Sequence, residues 1–157
     1  MYGGAVTGAL YPVYGMSSVF FLLGSIFIDI DHYIDFLYYG RFRDWSVKNM
    51  FKFHGLVAKR KDYPHIYALE AFHTAEFLLT LLALGIYFHS AELVLLFAGM
   101  VFHLALDVYR LNQWGKVHVR AFSFVEYWYL RRKMRATTGD PEIFFDDVYA
   151  EISRKKS

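Results

Sequence analysis

The chain opens with 28 residues that carry no charge. Residues 3–28 are long enough to cross a hydrocarbon core of roughly 30 Å, with Pro12 and Gly15 expected to kink or split the segment. Residues 5–14 then read as a short leading piece and 16–39 as the helix proper. A second apolar span covers residues 69–88, uncharged from 77 to 89. The polar turn His89-Ser90-Ala91-Glu92 joins it to a third span at 93–111, uncharged from 93 to 106. Spans two and three read as an antiparallel hairpin. The expectation is an all-α integral membrane protein, a single helical domain over residues 1–157 with about three transmembrane helices and short cytoplasmic or interfacial helices. Residues 1–39 form its first span with an acidic end, 40–68 a basic cytoplasmic loop, 69–111 the hairpin and 112–157 a basic interfacial or cytoplasmic tail.

Charge placement gives an orientation. Residues 41–62 hold Arg41, Arg43, Lys48, Lys52, Lys59, Arg60 and Lys61 against Asp44 and Asp62, and the tail holds Arg110, Lys116, Arg120, the Arg131-Arg132-Lys133-Met134-Arg135 cluster and Arg154-Lys155-Lys156. The N-terminal segment and the Ser90 turn have no Lys or Arg. Under the positive-inside rule the N-terminus is expected outside and the C-terminus inside the cytoplasmic membrane. An aromatic content of 20% supports this, since Tyr and Trp concentrate at bilayer interfaces. The alternative is a soluble, aromatic-rich helical domain, favoured by a mean hydropathy of only +0.23. Residues 120–130 fit either a helix in the headgroup layer or a core helix with a solvated basic end. Asp140 and Pro141 mark the N-cap and first turn of a last short helix at 142–153, expected on the surface. There is no cysteine, which excludes thiolate ligands and disulfides. No cleavable signal peptide or internal repeat is read.

Ionisable side chains inside apolar spans are costly and need a partner, water or a cation. Span one ends in Ile28-Asp29-Ile30-Asp31-His32-Tyr33-Ile34-Asp35. At about 100° per residue Asp31, His32 and Asp35 share a helical face, with Asp29 within reach of His32. Carboxylates this close repel unless a cation neutralises them. Span two opens with His73-Thr74-Ala75-Glu76 and span three closes with His103-Leu104-Ala105-Leu106-Asp107, each a His/carboxylate pair at one turn's spacing. The expected topology brings all three groups to one membrane depth, as a metal site would require. His89 and His118 read as ordinary polar residues, while His54 and His65, in the basic loop, are open between ligand, general acid and solvated residue.

An Asp-x-Asp-His run closing an apolar helix, then Phe72-His73-Thr74-Ala75-Glu76, then His103-Leu104-Ala105-Leu106-Asp107 resembles the membrane-bound metal-dependent hydrolases, small inner-membrane proteins related in site layout to zinc-dependent phospholipase C. The likeness covers residues 24–107. It has Ile28 where that family usually carries proline, and no Arg-Gly follows His65. The resemblance implies Asp29, Asp31, His32, His73, His103 and Asp107 as metal ligands. The expected function is hydrolysis of a phosphoester, conceivably a lipid one, at the cytoplasmic membrane surface, with one or two divalent ions, zinc first and manganese or iron as alternatives. Glu76 or Asp35 would act as general base, and the basic loop would draw an anionic headgroup. Two rivals stand beside it: a membrane scaffold whose acids and histidines pair with each other, and haem held by His73 and His103. The expected partner is membrane lipid; the basic cluster is too generic to specify nucleic acid, and nothing in the residues sets an oligomeric state.

Overall fold

In the computed structural model, which describes residues 2–60, 67–115, 117–137 and 139–154, the described residues form helices and one isolated bridge, Ala68 with Arg120. The helices are α1 (Tyr2–Tyr14), α2 (Val19–Phe27), α3 (Ile30–Tyr39), α4 (Val47–Lys59), α5 (Ala75–Tyr87), α6 (Ala91–Gln113), α7 (Phe124–Thr137) and α8 (Pro141–Arg154), with 3-10 turns at Gly15–Ser18, Ala71–His73 and Val117–Val119. The chain divides into two compact units, Met1–Ile30 with Ala71–Val117 and Asp31–Glu70 with His118–Ser157.

In the first unit the leading segment is split at Gly15, one of the two positions expected to kink or split it. Gly15 takes a φ of +55°, a conformation open to glycine at little cost, and the 3-10 turn that follows reverses the chain. The Ser18 hydroxyl closes the turn by donating to the Gly15 carbonyl. α1 then lies back along α2, so that a Cβ on Gly3 would fall 2.7 Å from Ser25 Oγ. Both helices contribute to an uncharged hairpin rather than one long rod.

α2 and α6 cross at van der Waals distance because glycine stands on each side of the contact. A Cβ on Gly24 would fall 2.1 Å from the Leu96 carbonyl oxygen, and one on Gly99 would fall 2.0 Å from that of Phe21. Ser17 donates to Glu92 at one end of this pair and His103 reaches Ser25 further along, so the two helices run parallel. α5 runs antiparallel to α6, with Gly85 against Val94 near one end and His73 beside Asp107 at the other. Local chemistry fixes the boundaries. Thr74 accepts the Phe77 amide at the start of α5, and Ser90 accepts the Leu93 amide at the start of α6. Between them His89 adopts φ +50° and the Ser90 amide returns to the Gly85 carbonyl, a left-handed helix stop.

Among the described residues two helical stretches are long and apolar enough to span a membrane, Tyr2–Tyr39 and Ala91–Gln113. The reversal at Gly15 means that the first is not one straight crossing. The expected middle span is α5, whose 13 residues rise about 20 Å, short of a hydrocarbon core of about 30 Å. The buried core here is small, Ile28, Leu78 and Met100 with flanking Phe and Leu side chains. Most of the apolar side chains face outward.

The second unit has an aromatic core. Phe36 and Leu37 from α3, Phe53 from α4, and Phe144, Phe145, Val148 and Ile152 from α8 are buried together. Two sequence expectations change. The basic segment holds a helix, α4, capped by the Ser46 hydroxyl, which accepts the Asn49 amide. The last helix is not a surface element: Phe144, Val148 and Ile152 recur every four residues, form a stripe and enter the core. The Arg131–Arg135 cluster is partly spent within the unit. Arg131 is buried, pairs with Glu142 and Asp140 and lies over the Tyr127 and Trp128 rings, while Arg135 pairs with Asp140.

Gly99→Ala is expected to cost about 3 kcal/mol in a detergent-solubilised melt, because its methyl group must displace backbone. Gly8→Ala, with nothing within 4 Å of the added carbon, should instead be neutral or stabilise by about 0.5–1 kcal/mol. In the second unit Arg131→Ala should cost about 2 kcal/mol by removing a buried guanidinium that packs against Tyr127 and Trp128 and pairs with half-buried Glu142 and Asp140, whereas exposed Arg132→Ala should change the melt by less than about 0.5 kcal/mol.

Candidate metal centre

The site in the first unit starts from a helix end. α2 stops at Phe27, where the Ile28 amide bonds to Gly24 and the Asp29 amide turns to the Ile26 carbonyl. The Ser25 carbonyl receives the imidazole of His103 instead, at 2.6 Å from Nδ1. A carbonyl only accepts, so Nδ1 carries a proton and a neutral ring turns its Nε2 lone pair away from α2. Nε2 lies 3.3 Å from Asp29 Oδ1 and 3.6 Å from Asp107 Oδ1. Asp107 follows His103 by one turn of α6, so both project from the same helical face.

The fourth member comes from the 3-10 turn before α5. His73 is fully buried, with Nε2 3.8 Å from Asp107 Oδ2 and its ring 6.2 Å from that of His103. Thr74 next to it is buried as well and donates to the Ala71 carbonyl, fixing the turn that carries the imidazole. Asp29, His73, His103 and Asp107 each offer one ligand atom, and these atoms lie within 4.8 Å of one another. This cluster could hold a metal ion.

The donor chemistry fits that use. Bonds of about 2.0–2.2 Å to nitrogen and oxygen put neighbouring tetrahedral ligand atoms about 3.3 Å apart, close to the spacings present here. Two carboxylates facing an imidazole lone pair repel it unless a proton or a metal ion lies between them. The cluster is closed on the His73 side and open at Asp29, whose side chain is 44% exposed. The His103–Ser25 bond has the geometry of an outer partner that orients a ligating imidazole.

The remaining site residues expected from sequence are not among these four. Asp31 and His32 are in the second unit, where Asp31 is buried and His32 Nδ1 lies 3.6 Å from Glu70 Oε1 and 4.0 Å from Asp31 Oδ1. His54 Nε2 donates to the His32 carbonyl at 2.7 Å, with the two rings 4.8 Å apart. Asp35 is within electrostatic range of Glu70 and Asp31. Sequence reasoning passed over Glu70 and Arg120, a buried ion pair beside the Ala68–Arg120 bridge. Glu70 carried a usable signal, a lone carboxylate between Leu69 and Ala71 in the apolar approach to span two. Glu76 sits half-buried in the first turn of α5, outside the group of four. His65 and the side chain of His118 lie outside the described residues.

Nitrogen-15 imidazole spectra should show His103 protonated at Nδ1 whether or not a metal is added. A neutral Nε2–H tautomer would contradict the Ser25 bond. None of the family models, curated proteins or solved structures compared with the chain matches it.

Proposed function

We propose that this chain is a membrane-bound, metal-dependent hydrolase acting on a phosphoester, conceivably that of a lipid, at the cytoplasmic face. One observation carries the reading: two imidazoles and two carboxylates, from three separate segments of an apolar helical unit, converge within 4.8 Å. The resemblance to the membrane-bound metal-dependent hydrolases, carried by Asp29, Asp31, His32, His73, His103 and Asp107, agrees with it. Two helices long and apolar enough to span a membrane support the location. The Lys- and Arg-rich segments supply the orientation under the positive-inside rule.

In this reading Asp29, His73, His103 and Asp107 hold the ion. A donor set of nitrogen and oxygen without sulfur takes Zn²⁺ first, with Mn²⁺ or Fe²⁺ as alternatives. A bound ion would lower the pKa of water to near 7 and polarise a phosphoryl oxygen. The Ser25 carbonyl holds the His103 tautomer that presents Nε2, and buried His73 keeps one side of the centre dry. Glu76, one turn beyond His73, is the proposed base that accepts the water proton; Asp35, the other candidate from sequence, belongs to the second unit. Arg and Lys of residues 41–60 attract the anionic substrate.

One observation favours a second, non-enzymatic reading. A protonated His103 would satisfy Asp29 and Asp107 at 3.3 and 3.6 Å without any metal, leaving a self-paired scaffold.

Metal analysis of the purified protein separates the two. The hydrolase reading expects stoichiometric divalent metal, its loss in His103→Ala and in Asp107→Ala, and phosphate or phosphoalcohol release that falls by at least about 100-fold in both. Full metal occupancy in both variants would sink the ligand assignment, and metal-free wild type would favour the scaffold. Glu76→Gln should retain metal while slowing turnover by about 10²–10⁴-fold.

A further inference from the structure

We infer that the first unit sits in a lipid bilayer as an up-and-down bundle of four helices, with the N-terminal end of α1 and the ligand group toward one face and the Gly15–Ser18 and His89–Ser90 turns at the other. The inference uses the membrane part of the reading above and is independent of the metal.

Side-chain register sets the direction of each helix. Ser17 bonded to Glu92 ties the first turn to the second at one end. Gly3 against Ser25, and Ser25 against His103, bring the start of α1 back to the level of the ligand group. α1 and α5 therefore run one way and α2 and α6 the other. An even number of helices returns the chain to the side on which it began. A single first crossing, the reading from sequence length, would put the N-terminus on the opposite side from the end of α6.

Charge and apolar surface identify the surroundings. The far turns carry no Lys or Arg, and their one acid, Glu92, is held by the Ser17 and Ser90 hydroxyls. The chain leaves and rejoins the unit at residues 30, 71 and 117, all at the ligand end, and every Lys and Arg of the sequence lies between residues 41 and 61, in the last turn of α6 or after it. Exposed apolar side chains occur on all four helices, among them Val13, Phe20, Ile26, Leu79, Ile86 and Val101. A protein partner would cover one face; acyl chains cover all of them. Glu92 and Arg110, the outermost charges of α6, are about 27 Å apart along the axis, close to the thickness of a hydrocarbon core, and the shorter α1, α2 and α5 are met by local thinning of the bilayer. Exposed Tyr14 and Tyr87 stand at one end of that length and exposed Tyr109 and Trp114 at the other, the placement of two interfacial aromatic belts. On this scale Asp107 lies about 5 Å and His103 about 10 Å inside the Arg110 level.

The chain lacks cysteine, so single introduced thiols report their own side. Four proteins are made: one with a cysteine added ahead of Met1, and the variants Trp114→Cys, Met16→Cys and Phe88→Cys. Each is reconstituted in sealed phosphatidylcholine–phosphatidylglycerol vesicles of one orientation and treated with a membrane-impermeant maleimide before and after permeabilisation. The added cysteine and Trp114→Cys should behave alike, and Met16→Cys and Phe88→Cys should show the opposite pattern. Reaction of the added cysteine together with Met16→Cys would overturn the hairpin in favour of a single first crossing. Reaction of Met16→Cys together with Trp114→Cys would show that α2 does not cross. A protein that stays out of the vesicles, with all four thiols reactive, would refute the membrane reading itself. Metal content does not enter these outcomes, so the pattern stands or falls apart from the ligand assignment.

Discussion

The close approach of α2 and α6 at Gly24 and Gly99 governs the first unit. Backbone carbonyl oxygens of Leu96 and Phe21 occupy the space that a Cβ would fill on the facing helix. At that separation packing and weak Cα–H···O contacts hold the pair, as in membrane helices that associate through small residues. Phe21 and Phe102 pack at a tilt beside the crossing, ring centroids 5.5 Å apart, and close its flank. The same short interaxial distance lets the His103 ring reach a backbone carbonyl of its neighbour. With bulkier residues at the contact the imidazole would fall short of Ser25, and its tautomer would be set by solvent instead.

A second constraint is the break after Phe27. In an unbroken helix Asp29, Asp31 and His32 would be successive members of one ladder, and periodicity would assign them to related faces. The two-residue interruption ends α2 and restarts the chain as α3, so Asp29 joins His73, His103 and Asp107 while Asp31 and His32 keep company with Glu70 and His54. The interruption also diverts the Asp29 amide to Ile26, leaving the Ser25 carbonyl for His103. One local irregularity thus both distributes the carboxylates and supplies the partner that orients a candidate ligand.

The second unit handles its charges differently. Arg120 with Glu70 is a buried ion pair against the Ala68–Arg120 bridge, and buried Arg131 pairs with half-buried Glu142 among aromatic rings. Such pairs add little net stability over an apolar core but are costly to break singly, which makes them devices of specificity. The polybasic run is therefore only half available to solvent or headgroups: Arg132 and Lys133 are exposed, whereas Arg131 is committed to the join between α7 and α8.

The sequence alone determined the helical class, the hairpin of α5 and α6, and the residue types of the candidate centre. Those follow from signals that act over a few residues: uncharged runs, Ser and Thr caps, and acid–histidine pairs one turn apart. It also showed which ends of the spans carry Lys and Arg, since charge placement needs no coordinates. Tertiary structure decided the rest. Whether residues 3–28 form a rod or a hairpin depends on one glycine taking φ +55° and on Gly3 finding Ser25, a contact between residues far apart in sequence. That α8 belongs to a core depends on partners in α3 and α4, which its own composition does not name. Membership of the four-ligand group was legible as residue type but not as a set, because the break after Phe27 is a backbone event that helical periodicity averages away.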